Sequence, residues 1–331
     1  MVGKKSLLLA GLVAFSLGAV LFAVLLTGQV PSMIFPETPP LLREHALSFL
    51  TEVVGFNLTE YSIVHSEYSP STDMVSSNGL PITSLSYTLQ SSENKVHASF
   101  GYTLENGNYT LESYSHIYLD SPAFVYPPYP PDNLLNWTKS FMERYQSFQS
   151  DVAYVSEMRK TLDTVDRLEP LNVTSGSIKL QISIKQFNVN EIYTSITFLY
   201  TSEGVDYEGK AVGFNFHNGL YAHFADTWNK VKVGNEHVIV LEDEALSMAW
   251  QQAESYVQDK FGNETARKLQ STPKLMYLSA EHGGAGTFYP MWRIEFGFDE
   301  PFYSATDAVT LSYIEVGIWA YNRQVAFCRA L

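Results

Sequence analysis

The chain has 331 residues, of which 45% are hydrophobic and 17% are charged. This share of apolar residues is enough for a buried core and excludes a wholly disordered chain. The 21 Lys and Arg residues stand against 35 Asp and Glu, and the net charge of -14 disfavours nucleic acid as a partner, because phosphate backbones would be repelled. A single cysteine, Cys328, excludes an intramolecular disulfide and a zinc site built on several thiolates.

Residues 6–27 are predicted to be a transmembrane signal anchor. The run Ser6–Leu26 carries no charge, and as a helix it would span about 31 Å, which matches a hydrocarbon core of about 30 Å. Lys4 and Lys5 precede it and no basic residue lies in Thr27–Pro36, so residues 1–5 are expected in the cytoplasm and the rest outside the cell. A cleaved signal peptide is the alternative, although its apolar region is usually shorter, about 7–15 residues.

Five Asn-x-Thr sequons follow the predicted anchor. The Asn and Thr content alone would give about one such triplet by chance. They favour an extracellular location with glycans on the surface, the alternative being coincidence in a Thr-rich chain. Residues 28–40 contain the stretch Pro36-Glu-Thr-Pro-Pro40 and are predicted to be a short, stiff spacer. The candidate glycosylation sites are Asn57, Asn108, Asn136, Asn172 and Asn263.

After the spacer the chain repeats one order of elements, an amphipathic helix followed by several strands. This order predicts an α+β protein of three helix-plus-antiparallel-sheet units, at residues 41–120, 132–240 and 241–331. Residues 121–131 contain Tyr126-Pro-Pro-Tyr-Pro-Pro131, which predicts an extended polyproline linker between the first two units. Such a segment can also be a ligand for an aromatic groove.

The first unit opens with apolar residues from Leu42 to Val53 at helical spacing, and Gly55 is expected to end that helix. The polar run Ser71–Pro81 is predicted to be a loop. Four strands are predicted at Tyr61–Ser66, Ser84–Gln90, Lys95–Leu104 and Tyr109–Tyr118.

The second unit is predicted to begin with a helix capped by Asp132 and a second helix over Tyr154–Val165. Strict alternation of apolar and polar residues then predicts an antiparallel meander with one buried face. The third unit begins with a helix from Glu242, whose three acidic residues favour a helix N-terminus. Its apolar residues recur at helical spacing from Ala245 to Val257, which predicts one buried stripe. Its strands are predicted at Lys274–Ala280, Phe288–Phe298, Val309–Ala320 and Gln324–Cys328.

The third unit resembles the PepSY domain family over Glu242–Leu331. The resemblance rests on the helix that carries Ala245-Leu246 and Tyr256-Val257, on the strand Trp292-Arg293-Ile294 and on a closing strand from Val316 to Val325. The first unit is similar to the family more weakly, over residues 41–118. Ala320-Tyr321 and Asn322-Arg323 stand where family members often have Asp-Ala and Thr-Gly. The resemblance implies helix-plus-antiparallel-sheet units of PepSY-like or cystatin-like character. It also implies small non-catalytic domains of secreted and membrane proteins, some of which are protease propeptides or inhibitors.

The chain carries no HExxH, GxSxG, P-loop, GxGxxG or CxxC motif, so no catalytic residue, metal site or cofactor is predicted. His217 and His223 flank a hairpin turn, but two histidines alone do not make a metal site. Glu281 and His282 are disfavoured as an acid–base pair, because the side chains of neighbouring strand residues point to opposite faces of a sheet. Cys328 is expected to pack as a small apolar residue.

A possible binding face is predicted around Trp292, Arg293 and Glu295. On a strand, Trp292 belongs to one face, and Arg293 with Glu295 to the other. A core tryptophan beside a surface charge pair is one interpretation, and an arginine that contacts an acidic peptide is the other.

The leading hypothesis for function is a membrane-anchored, extracellular, non-enzymatic binding or regulatory protein. It would engage a protein or peptide through a sheet face or edge, and the 21 tyrosines would provide amphipathic contact area. One alternative is a structural or spacer glycoprotein of the cell envelope, and another is a hydrolase with an unrecognised site.

Overall fold

The computed structural model describes residues 38–76, 79–105, 107–119, 131–149, 153–188, 191–284, 286–304 and 309–331. The predicted anchor, most of the spacer and linker residues 121–130 lie outside these ranges. Within the described ranges, the helices are too short or too polar to cross a membrane. The fold is α+β, with helices packed on antiparallel sheets.

Five α-helices are described, and the first continues into a π-helical turn over Phe49–Val54. Gly55 ends this turn at a φ of 90°, a backbone conformation that favours glycine. The carbonyl of Leu50 accepts the amides of Gly55 and Phe56 at 3.0 and 2.8 Å, which satisfies the end of the helix. The helices are α1 (Pro40–Ser48), α2 (Pro131–Phe148), α3 (Ala153–Asp163), α4 (Glu242–Phe261) and α5 (Asn263–Ala266).

The first two predicted units form one nine-stranded antiparallel sheet, the N-terminal sheet, in the order β1-β2-β3-β4-β9-β8-β7-β6-β5. The two halves join where Ser113–Ser115 of one pair with His223–Ala225 of the other. The strands are β1 (Ser62–Val75), β2 (Pro81–Gln90), β3 (Lys95–Glu105), β4 (Asn108–Tyr118), β5 (Leu171–Ser175), β6 (Ile178–Asn188), β7 (Glu191–Ser202), β8 (Val205–His217) and β9 (Leu220–Asp226).

One hydrophobic core holds this sheet to helices α1, α2 and α3. At its centre, the ring of Phe49 contacts that of Phe141 at 6.1 Å and that of Phe224 at 6.3 Å. Phe49 comes from the first half, Phe141 from α2 and Phe224 from β9. The two halves therefore share their apolar interior as well as their backbone hydrogen bonds, and neither buries a separate core.

The prediction of a loop over Ser71–Pro81 is wrong for Ser71–Val75, which belong to β1, and for Pro81, which begins β2. Val75 still pairs with Pro81 of β2, although the register is irregular after Pro70. Most described side chains of β1 between Ser62 and Pro70 are exposed. An edge strand with two hydrated faces has no reason to alternate apolar and polar residues, which is why the sequence predicted this strand only as far as Ser66.

The third predicted unit contributes four strands to a second, five-stranded sheet, the C-terminal sheet, which has α4 on one face. The fifth strand, Lys232–Val233, lies in the second predicted unit. Ala245, Ala249, Ala253 and Val257 of α4 are fully buried, as the helical spacing predicted. The short strand β10 was not predicted, and it pairs in parallel with Thr287–Phe288. The strands are β10 (Lys232–Val233), β11 (Leu275–His282), β12 (Thr287–Ser304), β13 (Val309–Trp319) and β14 (Val325–Ala330).

A buried carboxylate, that of Asp226, ties helices α2 and α3 to the end of β9. Its Oδ2 accepts hydrogen bonds from the hydroxyls of Tyr145 and Tyr154, each at 2.6 Å. Its Oδ1 accepts the amide of Trp228 at 2.9 Å. Burial raises the pKa of Asp226, and these hydrogen bonds offset part of that rise because they favour the charged form.

Candidate binding face of the C-terminal sheet

The face of the C-terminal sheet that lies opposite α4 is here called the outer face. It is formed by the odd-numbered residues of 275–281 in β11, 289–297 in β12 and 313–319 in β13, together with their neighbours on β14. Trp292 belongs to the other face, where its Nε1 donates to the carbonyl of Val240 at 2.9 Å. Arg293 and Glu295 lie on the outer face, as the alternation predicted. The structure thus separates Trp292 from the two charged residues of the predicted site.

Half-buried aromatic rings form one end of the outer face. Tyr289 stacks on Tyr321 with ring centroids 4.8 Å apart, and Trp319 contacts Tyr289 at 5.9 Å. Phe327 of β14 lies across Gly317, the residue it pairs with. Towards the other end, Tyr277 is 38% exposed and lies under the guanidinium of Arg293 at 5.9 Å. These rings are contributed by all four long strands and by the turn after β13.

The ring of Tyr289 is held between two glycines. A methyl group built on Gly234 would overlap this ring, and one on Gly283 would lie 2.5 Å from its Cδ2. Since Tyr321 covers the ring as well, Tyr289 has little room to move aside. The absence of a side chain at both positions is therefore what allows the ring to lie there.

Replacing Gly234 by alanine is expected to lower the free energy of unfolding by about 1–3 kcal/mol, the usual cost of overpacking. The measurement is urea unfolding followed by circular dichroism. Gly213→Ala is the matched control, because its added methyl would meet only ordinary contacts, 3.7 Å from Thr197. Equal stability of the two variants would contradict the close fit of Tyr289.

A cluster of charges occupies the middle of the outer face. Glu315 is only 1% exposed, yet it is ionised between two arginines. Its Oε1 accepts from Nε of Arg293 at 2.8 Å, and its Oε2 accepts from Nε of Arg329 at 2.7 Å. Burial by itself would raise the pKa of Glu315, but the hydrogen bonds and charges of the two arginines outweigh it and lower that pKa.

Arg293 directs its guanidinium at carboxylates of its own chain. Besides Nε, a second nitrogen contacts Glu315, and the third donates to Glu281 at 3.1 Å. An acidic peptide that bound Arg293 would have to displace one of these partners. Arg293 thus orders the face and holds Glu315, and the aromatic rings offer the more available contact area.

Sequence reasoning missed most of this face. It considered β12 alone and did not bring in Trp319, Phe327, Glu315 or Arg329 from the neighbouring strands. The alternation within β13 and β14 assigns those residues to one face of each strand, but only the register shows that this face is the one that carries Arg293.

The other predicted features lie apart from the outer face. Asparagines of all five sequons are exposed, and Thr59 donates its hydroxyl to Oδ1 of Asn57 at 2.7 Å within the first one. Burial raises the pKa of the Cys328 thiol to about 12, which disfavours the reactive thiolate. Among the described residues, no group of three or more His, Cys, Asp and Glu side chains is placed to hold a metal ion.

Comparisons with known proteins give structural neighbours but no family. No family model and no curated protein matches the chain. The C-terminal domain of Bacillus megaterium YpeB is similar with a TM-score of 0.38 and 11% identity, over 89% of this chain and 98% of that one. An uncharacterised protein from Eubacterium rectale is similar with a TM-score of 0.34 and 8% identity, over 89% of this chain and 84% of that one. Membership of the PepSY family therefore stays a prediction.

Proposed function

We propose that this chain is a membrane-anchored, extracellular, non-enzymatic binding or regulatory protein that engages a protein or peptide through the outer face of its C-terminal sheet. The observation that carries the proposal is the group of aromatic rings on this face, the exposed Tyr277 and the half-buried Tyr289, Trp319, Tyr321 and Phe327. Helix α4 covers the opposite face of the same sheet.

Rings of this kind are well suited to recognition. Tyrosine and tryptophan offer a large, rigid contact area with a polar edge, and they are enriched among the residues that contribute most to binding energy. The cluster around Glu315 supports the proposal because it holds the side chains between the rings in one arrangement. A partner would then lose less conformational entropy in ordering this surface.

The exposed edge of the N-terminal sheet at β1 is less favourable for binding than the outer face. The long edge strand β1 contains Pro70, which lacks an N–H donor, and its register is irregular at two places. Both features hinder the addition of another strand. The hydrolase alternative gains no support from Asp226, because three protein donors already surround this buried carboxylate.

The test compares two variants of the full-length protein in pull-downs from a membrane and envelope extract. Tyr277→Ser removes an exposed ring from the outer face, whereas Phe187→Ser removes a ring that is 67% exposed on the N-terminal sheet. We expect recovery of a specific partner to fall about tenfold for Tyr277→Ser, which corresponds to about 1.4 kcal/mol, and to stay unchanged for Phe187→Ser. If every retained protein responds alike to both variants, the outer face is not the binding surface and the spacer alternative is preferred.

A further inference from the structure

A cleft in the N-terminal sheet lies apart from the outer face. Its walls are the residues after the π-helical turn, the end of β4, the first turns of α2 and the β8–β9 hairpin. The cleft has a volume of about 620 Å³, which falls within the usual range of about 300–1,000 Å³ for small-molecule sites. The residues that carry the argument below are Phe56, Glu60, Tyr61, His116, Trp137 and Tyr221.

Aromatic rings line this cleft in a continuous series. Tyr61 contacts Phe56 at 5.6 Å between centroids, and Phe56 contacts His116 at 5.4 Å. His116 stacks on Tyr221 at 4.8 Å, and Tyr221 contacts Trp137 at 4.8 Å. Each ring is supported by the next, so the lining is rigid. The faces of Trp and Tyr rings carry partial negative charge, and a cation is the ligand that benefits from several of them at once.

The charged groups of the cleft favour the same kind of ligand. Glu60 is the one carboxylate among the described lining residues, and neither Lys nor Arg occurs among them. Asn57 donates its side-chain amide to Oε1 of Glu60 at 2.6 Å, which positions this carboxylate. Burial lowers the pKa of His116 to about 4, so its ring is neutral at neutral pH. An anionic ligand would meet no fixed positive charge here.

We propose that this cleft binds an organic cation of the alkylammonium class. The methyl or methylene groups of such a cation pack against the rings of Tyr61 and Trp137, which Tyr221 and His116 support from behind, and the carboxylate of Glu60 balances its charge. A neutral ligand of the same shape gains the apolar contacts alone. This site is independent of the outer face, because the two lie on different sheets.

The test measures binding to the full-length protein by isothermal titration calorimetry at neutral pH. The probes are choline and its neutral isostere 3,3-dimethylbutan-1-ol, which has the same shape without the charge. We expect saturable binding of choline and at least fivefold weaker binding of the alcohol, the ratio typical of cation–π contacts. Nα-acetyl-trimethyllysine amide is the third probe. Tighter binding of this probe than of choline would indicate that the natural cation is a protein side chain.

Two variants link the binding to the cleft. Glu60→Gln is expected to weaken the binding of choline about fivefold and to leave the binding of the alcohol unchanged. Tyr61→Leu is expected to weaken the binding of choline, because it removes an aromatic ring while the wall of the cleft stays apolar. Glu264→Gln is the control, because this carboxylate is 89% exposed on α5. Equal affinity for choline and the alcohol, or no choline binding at all, would overturn the cation site. Neither outcome affects the outer face, whose test uses Tyr277 and Phe187.

Discussion

Replacing Arg293 by methionine is expected to lower the free energy of unfolding by about 3 kcal/mol. Breaking a buried ion pair usually costs about 3–5 kcal/mol, because it leaves an uncompensated charge out of contact with water. Here the remaining charge is that of Glu315, whose side chain is 2% exposed. Arg329 would still donate to it, which places the expected loss at the lower end of the range. Urea unfolding followed by circular dichroism measures the change.

The double variant Arg293→Met with Glu315→Leu separates this explanation from a general loss of packing. Removing both charges takes away the desolvation cost, so the double variant should recover most of the stability that the single variant loses. Arg267→Met is the control, because its ion pair with Glu264 is exposed and should contribute less than about 0.5 kcal/mol. A double variant less stable than Arg293→Met would contradict the interpretation of Glu315 as a buried, charge-compensated group.

Replacing both Tyr145 and Tyr154 by phenylalanine is expected to destabilise the fold by about 4 kcal/mol at pH 7. Hydrogen bonds to charged groups contribute about 1.5–3 kcal/mol each, and both hydroxyls donate to the same oxygen of Asp226. Without them the buried carboxylate would keep the Trp228 amide as its remaining close donor. Thermal or urea unfolding of the variant and the parent at the same pH gives the difference.

The pH dependence of this loss identifies the carboxylate as its cause. Asp226 has a folded-state pKa above its ordinary value of 3.8, so its contribution to stability is fully present below pH 3.8 and is lost as the pH rises through the folded-state pKa. The double variant raises that pKa further. The difference between variant and parent should therefore shrink to about 2 kcal/mol as the pH falls below the folded-state pKa of Asp226, because the hydroxyls then face a neutral acid. Tyr303→Phe, at a residue that is 65% exposed, is the control. A loss that does not depend on pH would assign the effect to packing.

Periodicity in the sequence predicted the elements that have one wet and one buried face. The apolar stripe of α4 is buried at the spacing expected, and so are Leu180, Ile196 and Phe214 in the alternating strands of the second unit. These elements can be predicted from the sequence, because apolar residues recur with the period of the helix or strand wherever one side is packed and the other is hydrated. The continuation of β1 from Glu67 to Pro70 is mostly exposed on both sides and carries no such pattern, so the sequence predicted only the first part of this strand.

The sequence predicted only part of the candidate binding face. The alternation correctly assigned Trp292 to one face and Arg293 with Glu295 to the other. The partners of Arg293 could not be predicted in the same way, because Glu315 follows it by 22 residues and contacts it only through the pairing of β12 with β13. Glu315 is also buried on the outer face, although charged residues are usually exposed to water. The ion pairs with Arg293 and Arg329 explain this burial.

The local elements follow from the sequence alone, because helix and strand periods and turn residues act over a few residues. The sequence also determined the acidity of the chain and the absence of an internal disulfide. The tertiary structure alone decided that the first two units form one sheet, since three pairs of residues between Ser113–Ser115 and His223–Ala225 join them. The tertiary structure also brings together the residues of the outer face and of the aromatic cleft. Both are made of side chains far apart in sequence, and their proximity follows from strand register and from the packing of a shared core.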